Sequence, residues 1–157
     1  MDDDLPRLRA FSEELINIHD DLRAQLDRLR EGKDAVAGRS LAAHCLAFCA
    51  ALSKHHIAED AIAFPALAEQ RPALRQVLEG MMQDHETIAS LLARVEAIAH
   101  LLAGEAPDEA VESLHGELDG LSAILESHFS WEESRLIDAL DRLEGISLPP
   151  AELLGAS

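Results

Sequence analysis

Four histidines and two glutamates recur in one order and at one spacing. His19 is followed by His55 with Glu59 four residues on, and His85 by His128 with Glu132 four residues on. The residues behind the two glutamates echo each other, Glu59-Asp60 leading to Phe64 and Leu67, and Glu132-Glu133 to Ile137 and Leu140. A separation of four stacks histidine and glutamate on a single helix face. Imidazole nitrogen and carboxylate oxygen both bind divalent transition metals, so two such faces plus two lone histidines could hold a pair of metal ions inside a helical bundle.

Four long periodic segments must do the positioning, and no strand pattern competes with them. The first runs from about Pro6 to Arg30, with Leu15, Leu22, Leu26 and Leu29 inward and His19 on the same stripe. The second starts near the N-cap Ser40 and reaches about Ala68, its stripe reading Leu41, Phe48, Leu52, His55, Glu59, Ile62; Pro65 should kink or end it. The third follows Pro72 to Ala103, with Gly80 dividing off a short first piece, and the fourth runs from Pro107 to about Glu144. Gly32 and Gly104 mark stops. The reading is an all-α, antiparallel up-down-up-down four-helix bundle over residues 1–145, with an irregular tail over 146–157 that begins around Pro149-Pro150. On alternating helix directions the six residues fall at one level.

A lone histidine on an apolar stripe is more often a hydrogen-bonded core residue than a ligand, and His19 or His85 taken singly implies no more. The glutamates are harder to explain that way, because an ionised carboxylate inside a bundle costs several kcal/mol unless it is paired or coordinated. Arg135 lies one turn beyond Glu132 and offers it a salt bridge, whereas Lys54 lies off the stripe that carries Glu59. Four imidazoles and two carboxylates without thiolate suit iron, manganese or zinc. Carboxylates shared between helices suit bridging, which is typical of non-haem di-iron centres. The ferritin-like alternative needs Glu-x-x-His pairs; only Glu112 to His115 has that spacing, and His115 faces away from His128.

The chain resembles the hemerythrin-like (HHE cation-binding) family from about residue 5 to 144. The matching stretches are His19, His55-His56-Ile57-Ala58-Glu59-Asp60 through Phe64-Pro65, Asp84-His85-Glu86, and His128-Phe129-Ser130-Trp131-Glu132-Glu133. The resemblance implies two iron ions bridged by oxo or hydroxo, with manganese or zinc as possible substitutes. Glu59 and Glu132 would bridge, His19 and His55 would bind one iron, and His85 and His128 the other. Two departures bear on function. Oxygen-carrying hemerythrins have a further histidine four residues after the third-helix ligand, where this chain has Ala89, and an aspartate five residues after the fourth-helix histidine, where this chain has Glu132 at four. With about six sites on each iron, the implied set leaves a vacancy on each metal. His56, three residues before Glu59, is either an additional ligand that fills one vacancy or a hydrogen-bonding residue beside the site.

The remaining histidines read differently: His44 sits three turns from His55 at the bundle end, His100 near a helix C-terminus, and His115 at the surface. Asp60, Glu86 and Glu133 are candidate acceptors for ligand imidazole N–H groups. Phe129 and Trp131 flank His128 and would shield the metals from water.

Thirteen basic against thirty acidic residues give a net charge of −17, which argues against nucleic acid and anionic membrane surfaces as partners. No apolar run is long enough to span a bilayer and the N-terminus lacks a secretory signal, so a cytoplasmic protein, monomeric or weakly dimeric, is expected. Cys45 and Cys49, four apart on one helix, read as reduced core thiols. The functional expectation is a non-haem di-iron protein binding oxygen, nitric oxide or peroxide at an open iron position. The alternatives are a di-iron enzyme that decomposes peroxide or reduces nitric oxide, an iron- or oxygen-sensing module, and a bundle without metal.

Overall fold

The computed structural model describes residues 4–31, 38–102 and 108–156. Among them the elements are α1 (Asp4–Glu31), α2 (Gly38–Ala58), a π-helical turn (Glu59–Ala63), α3 (Phe64–Gln70), a 3-10 turn (Pro72–Leu74), α4 (Arg75–Leu102), α5 (Asp108–Asp141) and α6 (Pro150–Leu154). No strand forms among the described residues. The stops expected at Gly32 and Gly104 and the start at Pro107 lie outside them.

Cross-links between helices fix the directions. Arg23 reaches Glu126 while Arg30 reaches Asp119, so α1 and α5 are antiparallel. His128 bonds Asp84 and Arg94 bonds Glu117, which sets α5 against α4. Asp60 and His56 meet His85, and Ser53 lines the same cleft as Leu92, which sets α2 against α4. With α1 packed on α2 the ring closes as the expected up-down-up-down bundle. The core between the helices is aliphatic, built from Leu15, Leu22, Phe48, Leu52, Ile88, Leu92, Leu121, Leu125 and Leu136, each at most 3% exposed.

Three local features differ from expectation. Pro65 does not end the second helix. It has no N–H to donate and its ring crowds the preceding turn, and the chain answers with the π turn just before it, where the Phe64 N–H reaches back five residues to the Glu59 carbonyl. The wide turn holds one residue more than an α-turn, so the buried position passes from the expected Ile62 to Ala63. Gly80 does not divide the third helix either, since α4 runs through it unbroken. Its missing side chain makes room for Trp131, whose ring would stand 3.1 Å from a Cβ placed there. Finally, the tail is not irregular throughout. Pro150 takes the first turn of α6, and Leu153 and Leu154 bury themselves against the bundle.

Candidate metal centre

All six residues singled out by type and spacing meet at one level of the bundle. His19, His55, His85, His128, Glu59 and Glu132 are each no more than 4% exposed, and His56 joins them at 5%. α1 brings His19, α2 brings His55 and His56, the π turn opens on Glu59, α4 brings His85, and α5 brings His128 and Glu132. Potential ligand atoms gather into four overlapping clusters, with the members of each lying within 4.8 Å of one another. These are His19, His55 and Glu132; His55, His56 and Glu59; Glu59, His85 and Glu132; and His56, His85 and His128.

The hydrogen bonds around the cluster decide which nitrogen of each ring faces in. His55 Nδ1 lies 2.5 Å from the Leu154 carbonyl oxygen, an atom that only accepts, so the proton is on Nδ1 and Nε2 carries the lone pair. His85 Nδ1 donates to Asp60 Oδ1 at 2.7 Å, and His128 Nδ1 to Asp84 Oδ2 at 3.1 Å. His19 Nδ1 lies 3.7 Å from Glu133 Oε2, a carboxylate held from its far side by both terminal nitrogens of Arg23. Four Nε2 atoms are thereby turned inward: those of His19 and His55 stand 3.2 Å apart, and those of His85 and His128 stand 3.1 Å apart.

Such pairs are repulsive when both rings are neutral, because two lone pairs confront each other. Something positive belongs between them. The carboxylates say the same: Glu59 Oε1 is 3.1 Å from His55 Nε2 and 3.6 Å from His85 Nε2, and Glu132 Oε1 and Oε2 are 3.5 and 3.1 Å from the Nε2 atoms of His19 and His128. Yet all four oxygens are buried without a properly directed hydrogen bond, as is His56 Nε2. A buried, unsatisfied carboxylate is strongly unfavourable, and Arg135, the sequence candidate for neutralising Glu132, is exposed and does not pair with it. Buried nitrogen and oxygen donors converging on a common space fit divalent metal ions of the iron, manganese and zinc group.

Without metal, protons take part of that role. Burial opposes charge on His19, but Glu132 and Glu133 outweigh it and raise the ring's pKa. Burial opposes charge on His128 too, and Glu132 with Asp84 again reverses it. Burial wins at His55, pushed down to about 4, and also at His56 and His85, where neighbouring imidazoles add to the fall at both. Glu59 is driven well above the carboxylate range by burial and by Glu132. Glu132 is held well below it, because Glu59, His128 and His19 overcome its burial. The two carboxylates thus share one proton, carried by Glu59.

Sequence reasoning located the inward residues and two of their supports, Asp60 and Glu133. Glu86, its third candidate, is exposed and makes no such contact. Asp84, Arg23 and the Leu154 carbonyl were missed. Asp84 reaches across to another helix, and a backbone carbonyl leaves no mark in a sequence. His44 and His100 are exposed, and His115 is half-buried on α5, away from the cluster. Cys45 and Cys49 are buried free thiols, as expected. Phe129 stacks on His19 with centroids 4.0 Å apart and closes that side against water, while Trp131 caps Gly80. On the opposite side a cleft of about 210 Å³ runs between α2 and α4, lined by His56, Asp60, His85 and the exposed Ala89. No helix is long and apolar enough to cross a membrane among the described residues.

Residues 10–140 match the family described as the hemerythrin HHE cation-binding domain. No curated protein and no solved structure is similar enough to count as a match.

Proposed function

The chain belongs to the hemerythrin HHE cation-binding domain family, and from that premise we propose that it is a non-haem di-iron protein that binds oxygen, nitric oxide or peroxide at an open iron position. The observation that carries this reading is the facing of Nε2 atoms in two pairs, 3.2 and 3.1 Å apart, with the orphaned carboxylates of Glu59 and Glu132 between them. His19 and His55 would hold one ion and His85 and His128 the other, with Glu59 and Glu132 shared. His56 is assigned to the second ion, because its unpaired Nε2 belongs to the same cluster as His85 and His128 and its ring stacks on His85 at 3.8 Å. Bound iron would supply redox chemistry and affinity for diatomic or peroxide ligands.

The chain's own residues do the rest. Asp60 and Asp84 hold the imidazoles as Nε2 donors, and Phe129 keeps water from the His19 side. The cleft beside Ala89 gives small solutes a route to the His56 and His85 side, and its volume suits a molecule of a few atoms better than a metabolite. That opening also supports a second reading, turnover of peroxide or nitric oxide rather than their storage. Repeated turnover of either substrate by iron-loaded protein would select it over a stable adduct.

Bound metal measured by mass spectrometry tests the main reading. Wild type should retain two irons per chain, while His55→Ala and Glu59→Ala should each lose metal. Equal metal content in all three proteins would overturn it.

A further inference from the structure

The last eight described residues sit where a metal-binding bundle would need nothing, yet they touch one of the inward histidines. α6 lies across α1, α2 and the π turn, anchored by the buried Leu153 and Leu154. Its cap, Gly155, adopts φ +64°, a conformation that side-chain-bearing residues rarely take. A Cβ at Gly155 would collide with the Lys54 carbonyl oxygen, 2.8 Å from Ala58 Cβ and 3.0 Å from His55 Cα. Backbone therefore rests directly on backbone at the helical turn that carries His55. At the end of a helix the final carbonyls have no partner within it; the Leu154 carbonyl finds one in His55 Nδ1–H. A single contact thus satisfies the tail's orphan acceptor and fixes the His55 ring with its Nε2 lone pair facing His19 and Glu59.

We propose that the segment 149–156 is a positioning element for His55, and that seating of this segment on α2 and occupancy of the metal centre favour one another. The proposal rests on the metal-centre reading above. A ligand imidazole whose other nitrogen is held binds metal more tightly, and loss of the holding group weakens affinity by about 10- to 100-fold. Coupling of this kind is reciprocal: whatever the seated tail adds to metal affinity, bound metal adds to tail seating. Asp60 and Asp84 perform the same office for His85 and His128 from within the bundle. Only His55 depends on a segment that can leave without unravelling a bundle helix.

Full-length Gly155→Val and the double variant Leu153→Ser with Leu154→Ser unseat the tail without altering a ligand. Zinc is a suitable probe, being redox-silent and accepting the same donors. Both variants should bind zinc about 10- to 100-fold more weakly than wild type. Nitrogen-15 spectra of the metal-free protein should show His55 as a single Nδ1–H tautomer in wild type and as a mixture in the variants, a signature that general loosening would not confine to His55. Hydrogen exchange at the amides of residues 151–156 should slow when wild type takes up zinc. Unchanged zinc affinity in both variants, or tail exchange indifferent to zinc, overturns the linkage alone. Wild type that binds no zinc overturns the metal-centre reading and the linkage with it.

Discussion

Asp60 and His85 are joined at 2.7 Å across α2 and α4, so the residue following one inward glutamate orients a histidine on the neighbouring helix. The π turn begins at Glu59 and carries Asp60 with it, which lets two consecutive acidic residues serve different purposes, one turned into the bundle and one reaching along its flank to α4. Asp60→Ala should weaken metal binding by about 10- to 100-fold with the helical content unchanged. Glu86→Ala, one residue beyond His85 but exposed, should change nothing. Competition against a chelator of known affinity reads both, and equal effects at the two positions would refute the assignment.

Glu59→Gln should trade function for stability. In the metal-free chain burial and Glu132 make ionisation of Glu59 unfavourable, so at neutral pH this side chain works against the fold. The amide removes that liability and keeps the shape. Metal-free Glu59→Gln should be more stable than metal-free wild type by about 1–3 kcal/mol, a rise of several degrees in Tm for a chain of this size, while its metal content collapses. Calorimetry on chelator-treated protein checks the first half, and elemental analysis the second.

His55 gives a pH dependence whose sign follows from its burial. Its folded pKa is depressed to about 4, against about 6.5 for an unfolded chain. The unfolded state therefore takes up the proton first as pH falls. Stability that depends on neutral His55 is complete above about pH 6.5 and drains away between there and about pH 4, at roughly one kcal/mol per pH unit. Other groups titrate nearby, so the quantity to follow is the stability difference between metal-free wild type and His55→Gln. That difference should shift against wild type across this window and level off below it.

Ala89→Leu places four carbons where the cleft beside His56 and His85 meets solvent. Metal content should stay at the wild-type value, while azide, used as a small anionic probe of the iron-loaded protein, should associate more slowly. An unaltered association rate would show that small ligands reach the centre elsewhere.

Much of this architecture was legible beforehand because its determinants are periodic. Leu15, Leu22 and Leu26 repeat at helical intervals and end up buried, and the four-residue spacing of His55 with Glu59 and of His128 with Glu132 survives intact. Three kinds of information were not. Pro65 announced a break, but its accommodation by one surplus residue depends on packing of the turn as a whole. Gly80 signalled weakness in α4, whereas its meaning lies in Trp131, 51 positions away. The Pro149-Pro150 pair suggested disorder, although Pro150 at a first turn and Gly155 at a cap are helix punctuation; what recruits that short helix is burial of Leu153 and Leu154, a property of the assembled surface.

The surplus residue before Pro65 has a consequence for how this chain tolerates change in length. Removing any one position from Asp60 to Ala63 would let the helix wind on regularly and rotate everything beyond it by about 100° relative to what precedes. Phe64 and Leu67 would swing out of the interior while His55 and Glu59 stayed in place. A deletion there should thus leave the donors on α2 nearly untouched and still uncouple the second half of the helix from the bundle, whereas the same deletion on the solvent side of α3 would shift only the short link to α4.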